Sequence, residues 1–244
     1  RDFRIYMAVG GMPQAVAAYV EGKNFIEIDE VKREIINLYK DDFFKVDNTG
    51  LIGRMYDSVP AQLATNKKSY VISAATGKKK IDKDLERFYD LLDSKTVLPC
   101  YNVLNPSVAL AQTRADETFK LYLADTGLFT TMIFNSSGEI DENIYTKLLS
   151  DSLPADLGYL YENAVAQMIA GSDRILYYHT WRREDSSHYH EVDFLLASKT
   201  KIVPMEVKSS GVGKHKSITE FQKKYSKQVL KQIMPLCLKF LEIL

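Results

Sequence analysis

The chain has 244 residues, 45% of them hydrophobic and 26% charged, with 32 Lys or Arg against 32 Asp or Glu. That length and balance fit an ordinary globular protein of two modest domains and give the chain as a whole no net attraction for nucleic acid. Cys100 and Cys237 are the only cysteines, too few for a disulfide framework or a zinc site, and no apolar run is long enough to span a bilayer, so a cytoplasmic protein without a membrane partner is expected.

The chain opens at Arg1 without a methionine or a signal peptide, which predicts a fragment of a longer parent. Gly10, Gly11, Met12 and Pro13 form a turn signal, and Pro13 suits the first turn of a short helix. From Glu27 to Val46 the residues Ile28, Val31, Ile35, Leu38 and Tyr39 make an apolar helical stripe. A third helix is predicted at 51–65, with Ile52, Met55, Tyr56 and Val59 inward and Pro60 bending it. Residues 80–93 form another, striped by Ile81, Leu85, Phe88 and Leu92. Two strand-like segments follow at 96–103 and 118–123.

Two helices and a two-stranded wing resemble a winged helix, whose second helix often enters a DNA groove. Here that helix carries Asp82, Asp84, Glu86, Asp90 and Asp93 against Lys80, Lys83 and Arg87. A helix that meets phosphates should be basic, so a structural or protein-contact role is favoured. A short helix at 125–132 ends this part. Residues 135–153 are polar, contain Ser-Ser-Gly and read as a linker. The expected division is a helical domain at 1–134, the linker at 135–153 and a second domain at 154–244.

The second domain carries the chemistry. Residues 157–170 read as a helix with Tyr161, Val165 and Met168 at helical spacing and Glu162 beside them. Residues 175–181 read as a strand. In 191–196, Glu191 and Asp193 alternate with Val192, Phe194 and Leu196; in 202–209, Glu206 and Lys208 alternate with Val203, Met205 and Val207. Strand side chains alternate faces, so hairpin pairing would bring Asp193, Glu206 and Lys208 together. Two carboxylates and a lysine suit a Mg²⁺ site acting on a phosphodiester. From Lys199 to Lys231 there are nine lysines and two acids, Glu206 and Glu220; a phosphate-binding patch and a solvated lysine-rich terminus are equally good readings. His188 and His190 are expected at a polar hairpin tip.

The helix–strand–strand–strand–helix order with Asp193 and the Glu206-x-Lys208 strand resembles the PD-(D/E)XK, or restriction-endonuclease-like, fold. The resemblance implies an α+β or α/β domain with Asp193, Glu206 and Lys208 as catalytic residues and Glu162, Asp193 and Glu206 as metal ligands. More of the chain, about 5–226, resembles the domain of unknown function found C-terminal to AAA-type ATPase cores in bacteria and archaea. The motifs are Gly-Gly-Met-Pro at 10–13, the stretch 119–128, Tyr-Glu-Asn at 161–163, the hairpin motifs and 216–225. That resemblance implies an N-terminal AAA-type ATPase domain as partner. This chain has no Gly-x-x-x-x-Gly-Lys-Ser/Thr, so ATP would enter only through that other domain. The tail after 226 departs from the family pattern and puts the last strand of the sheet in doubt.

Two functions stay open. One is a Mg²⁺-dependent DNA nuclease module coupled to the ATPase. The other is a catalytically silent arm that binds substrate or regulates it.

Overall fold

A computed structural model of the chain describes residues 2–65, 69–77, 82–107, 109–134, 142–150, 157–184, 187–208, 216–229 and 236–237. The protein mixes α and β structure and divides into two units, residues 1–98 with 121–167 and residues 99–120 with 168–244. Among the described residues no helix is long and apolar enough to cross a membrane.

The first unit is helical. It opens with α1 (Asp2–Val9), α2 (Pro13–Val20) and the long α3 (Phe25–Val46). Asn24 starts α3: its side chain accepts from the Ile26 and Glu27 amides at 3.0 Å, and Glu27 accepts from the Asn24 amide at 2.9 Å. This capping box satisfies donors that the first turn leaves without partners. Ile28, Ile35, Ile36 and Phe43 are buried, whereas Leu38, expected inward, is 59% exposed. The true centre of the face is polar: Asp29 and Lys32 are buried in it, and an apolar stripe drawn around them is skewed.

The single helix expected at 51–65 is two, α4 (Leu51–Asp57) and α5 (Val59–Ala64). They part at Ser58 because Pro60 has no N–H to continue the ladder. Ile52, Met55, Tyr56 and Val59 are buried as expected. Beyond α6 (Ile72–Thr76), α7 (Asp82–Asp93) buries Phe88 and Leu91, with Leu85 and Leu92 half-buried. Ile81 lies outside the described residues. Asp84 is also buried, 3.1 Å from Arg87, which reaches Asp47 at 3.1 Å. Part of the acidic run is therefore internal pairing.

The unit is completed by α8 (Thr126–Phe134), α9 (Glu142–Leu149) and most of α10 (Gly158–Ala170). The helix α9 lies in the segment expected to be a linker. Its Tyr145 and Leu148, three residues apart, bury one face. The Tyr145 hydroxyl donates to Asp29, which also accepts from Thr131 Oγ1 and Arg33 Nε, each at 2.7 Å. Lys32 Nζ donates to the Ala8 carbonyl at 2.7 Å and to the Tyr145 oxygen at 2.9 Å.

A second buried polar cluster fixes the Gly10–Gly11 turn. Asp125 accepts from the Gly11 amide at 2.6 Å and the Leu128 amide at 2.8 Å, so it ties the turn to the first turn of α8. Asn163 on α10 accepts from the Leu123 amide at 2.8 Å, and Gln167 accepts from the Thr126 amide at 2.8 Å. Gly10 has φ +81°, and a Cβ on Gly127 would stand 2.6 Å from the Gly10 Cα. The close approach of two backbones needs glycine at both positions. Gly127→Ala is expected to lower stability by about 1–3 kcal/mol through overpacking. A urea midpoint unchanged by that substitution would show that the turn can move aside.

The second unit is built on a four-stranded sheet in the order β2-β1-β3-β4. These are β1 (Val97–Val103), β2 (Arg114–Leu123), β3 (Leu176–Arg182) and β4 (Tyr189–Val192); β1 begins and β2 ends in the first unit. Strand β1 runs parallel to β3, with Cys100 opposite Leu176, and β3 pairs antiparallel with β4. The strands expected to make a wing therefore belong to a larger sheet, with β1 between β2 and β3. A wing ends at its second strand, whereas here the outer edge of the pair is used by a strand some seventy positions later. Strands β5 (Phe194–Ser198) and β6 (Lys201–Met205) form an antiparallel hairpin, and α11 (Lys216–Lys224) follows. Trp181, Val192, Leu195, Ile202 and Phe221 share one core cluster with Tyr177. Phe194 and Met205, which point to the other face, are buried too. Strict alternation of one wet and one dry face does not hold here.

Candidate functional site

The site grows from a break in a strand. Residues 189–192 pair with β3, the chain passes through Asp193, and residues 194–198 then pair with β6. Among the described residues no strand partner continues on both sides of that joint. The Asp193 carboxylate fills the gap: its Oδ2 accepts from the Val207 amide at 2.7 Å. The ladder's last pair is Phe194 with Met205, so Asp193 and Glu206 are the next residues beyond it on the two strands.

Glu206 is buried at 7% exposure, and its Oε1 lies 2.6 Å from Lys208 Nζ. Lys208 sits in β7 (Val207–Lys208), which pairs in parallel with β8 (Leu236–Cys237). A strand is thus present where the tail left one in doubt. The Val207 amide ties Asp193 to the segment that carries the Glu206–Lys208 ion pair. Glu162, the expected third acid, sits on α10 in the first unit, where its Oε2 accepts from the Tyr122 hydroxyl at 3.1 Å. Among the described residues no group of three or more His, Cys, Asp or Glu side chains gathers to hold a metal ion.

Glu191 has a different partner. Lys120 on β2 lies 2.5 Å from its Oε1 and stands over the Tyr178 ring at 5.5 Å, so three strands of the sheet contribute to one ion-pair cluster. Lys120 is buried at 7% exposure. Its place in a β-rich run, two residues before Tyr122, was the available sign that it points into the protein.

His190 is not at an exposed tip. It is 8% exposed and stacks on Trp181 with ring centres 5.0 Å apart, while His188 is exposed. Burial lowers the His190 pKa below its ordinary value, and Arg183 lowers it further. Beside it a cavity of about 630 Å³ opens between the end of β3 and the side of α11. The basic run from Lys199 to Lys231 contributes Lys216, Lys223 and Lys224 to this cavity, and Lys214 and Lys231 lie outside the described residues.

The model of a family described as a domain of unknown function (DUF8612) matches residues 1–139. A second, described as a domain of unknown function (DUF4143), matches residues 157–237. No curated protein and no solved structure matches the chain.

Proposed function

The chain belongs to the family described as a domain of unknown function (DUF8612), and on that premise we propose that it is an arm of an AAA-type ATPase whose second unit, with a PD-(D/E)XK-like fold, hydrolyses phosphodiester bonds of DNA. The observation that carries this reading is the bond from the Val207 amide to the Asp193 carboxylate just beyond the Phe194–Met205 pair, with Lys208 2.6 Å from Glu206. In kind and number these donors fit Mg²⁺, which is commonly held by one or two carboxylates with water and substrate phosphate completing its shell. Asp193 and Glu206 would hold the ion, which when bound supplies an acidified water and offsets charge on the phosphate.

The chain's own residues set the rest. The Val207 amide fixes the rotamer of Asp193. Lys208 places a positive charge beside Glu206, where a non-bridging phosphate oxygen can meet it. The test is cleavage of plasmid and oligonucleotide DNA with Mg²⁺ or Mn²⁺, with the ATPase portion restored. Glu206→Gln and Lys208→Met should each reduce the rate by about a hundredfold or more. Undiminished cleavage in both variants rules out the hairpin as the site.

One observation favours the silent-arm reading. Asp193 and Glu206 already serve the fold, the first through the Val207 amide and the second through Lys208. Under that reading wild type cleaves nothing with either metal, and Glu206→Gln lowers stability instead.

A further inference from the structure

The cavity beside α11 is lined by Arg182, Arg183, Lys216, Lys223 and Lys224 against two acids, Glu184 and Glu220. One of those acids is spent locally: Glu220 lies 2.9 Å from Lys223. The remaining field is strongly positive. Two buried nitrogens at this cavity, His190 Nδ1 and Arg183 Nε, have no hydrogen-bond partner among the described residues. A buried polar atom without a partner is costly, and its presence at the wall of a cavity asks for a ligand.

The chemistry of that ligand follows from the donors. A guanidinium presents parallel N–H groups that match a tetrahedral oxyanion, and lysines on the adjoining helix add charge without directional demand. Imidazole Nδ1–H supplies one more donor. The Trp181 ring is 8% exposed and already stacked on both His190 and His179, so it offers no platform for a base. The recognised group is therefore the phosphate itself. The volume, about 630 Å³, is that of a small-molecule pocket and exceeds the need of a bare ion.

We propose that this cavity binds a phosphate group of a phosphate ester, with His190 and Arg183 as inner donors and Lys216 and Lys224 as the charged rim. None of Asp193, Glu206 or Lys208 lines it, so the site does not rest on the hydrolytic reading. The phosphate ester has two natural sources, a free nucleotide or the backbone of a nucleic-acid strand.

Calorimetric titration of the chain with inorganic phosphate, with ADP and with a single-stranded oligonucleotide tests this. Wild type should bind phosphate and at least one of the two esters. Arg183→Gln and His190→Phe should each weaken binding about tenfold or more, as loss of a charge-assisted or buried hydrogen bond does. His190→Phe keeps a ring against Trp181, and an unchanged circular dichroism spectrum confirms its fold. Arg183 is only partly buried, so Arg183→Gln guards against a folding defect in the first variant. ADP binding without oligonucleotide binding assigns the nucleotide; tighter oligonucleotide binding that falls steeply with salt assigns the strand. Failure of wild type to bind all three probes, or binding that survives both Arg183→Gln and His190→Phe, overturns the proposal.

Discussion

Replacing Asp29 by alanine is expected to lower the stability of the first unit by about 3–5 kcal/mol, the cost of removing one partner from a buried ion pair. Asp29 is 2% exposed and accepts from Arg33, Thr131 and Tyr145, with Lys32 Nζ 3.7 Å away. Burial pushes its carboxyl upward, but Tyr145, Lys32, Thr131 and Arg33 outweigh burial and hold it below the ordinary value. Lys32 is 0% exposed, and burial pushes it down to about 8 even with Asp29 beside it. Without the carboxylate, Lys32 must keep an unpaired buried charge or give up its proton. A domain holds only about 5–15 kcal/mol in total, so this one change removes a large share. Asp29→Asn, which keeps an acceptor, should fall between wild type and Asp29→Ala. Urea denaturation followed by circular dichroism measures the effect as a shift in midpoint at unchanged slope. A loss below about 1 kcal/mol would show that water enters and solvates Lys32.

Acidification should weaken the second unit through His179. The ring is buried; its Nδ1–H donates to the Val103 carbonyl and its Nε2, 3.0 Å away, accepts from the Tyr225 hydroxyl. That arrangement uses the neutral imidazole. Burial pushes its pKa down to about 4, with Lys224 adding to the effect against the Val103 carbonyl. The unfolded chain takes up this proton near an ordinary value of about 6.5, while the folded chain refuses it until about pH 4. Between those limits the unfolded state binds more protons, so stability is full above pH 6.5 and falls as pH drops towards 4. The complete loss is on the order of 3 kcal/mol. His190, also lowered by burial, acts in the same direction. Urea midpoints at pH 7, 6 and 5, for wild type and His179→Gln, separate the two histidines. Parallel slopes for both proteins would remove His179 from the explanation.

The hairpin at 194–205 was legible because period-two patterning is a local signal, and its register follows from which residues are apolar. The break at Asp193 was not legible. Val192, Asp193 and Phe194 continue the alternation without fault, yet the strand changes partner between them. Partner choice depends on distant chain, and so does the place of β1. Residues 96–103 and 118–123 look like a local pair, and only the parallel contact of Cys100 with Leu176 shows a larger sheet. Polar residues in core positions were hidden for another reason. Lys32 and Asp29 satisfy each other's surroundings, which no apolar periodicity can reveal. His190 looked wet because its sequence neighbours are polar, whereas Trp181 and the adjoining α11 cover it. Glu162 came from the family resemblance, and what the resemblance could not supply was the Tyr122 hydroxyl that engages it.

The joint at Asp193 has a consequence for genetics. One side chain both belongs to the acidic pair and replaces a missing strand acceptor for the Val207 amide. If the joint hydrolyses DNA as proposed, any allele that deletes the carboxylate mixes two phenotypes, lost chemistry and a slackened hairpin. Complementation by Asp193→Ala cannot tell a dead enzyme from a sagging one. Asp193→Asn, which removes the charge but keeps a carbonyl oxygen for the Val207 amide, is the allele that pulls those phenotypes apart.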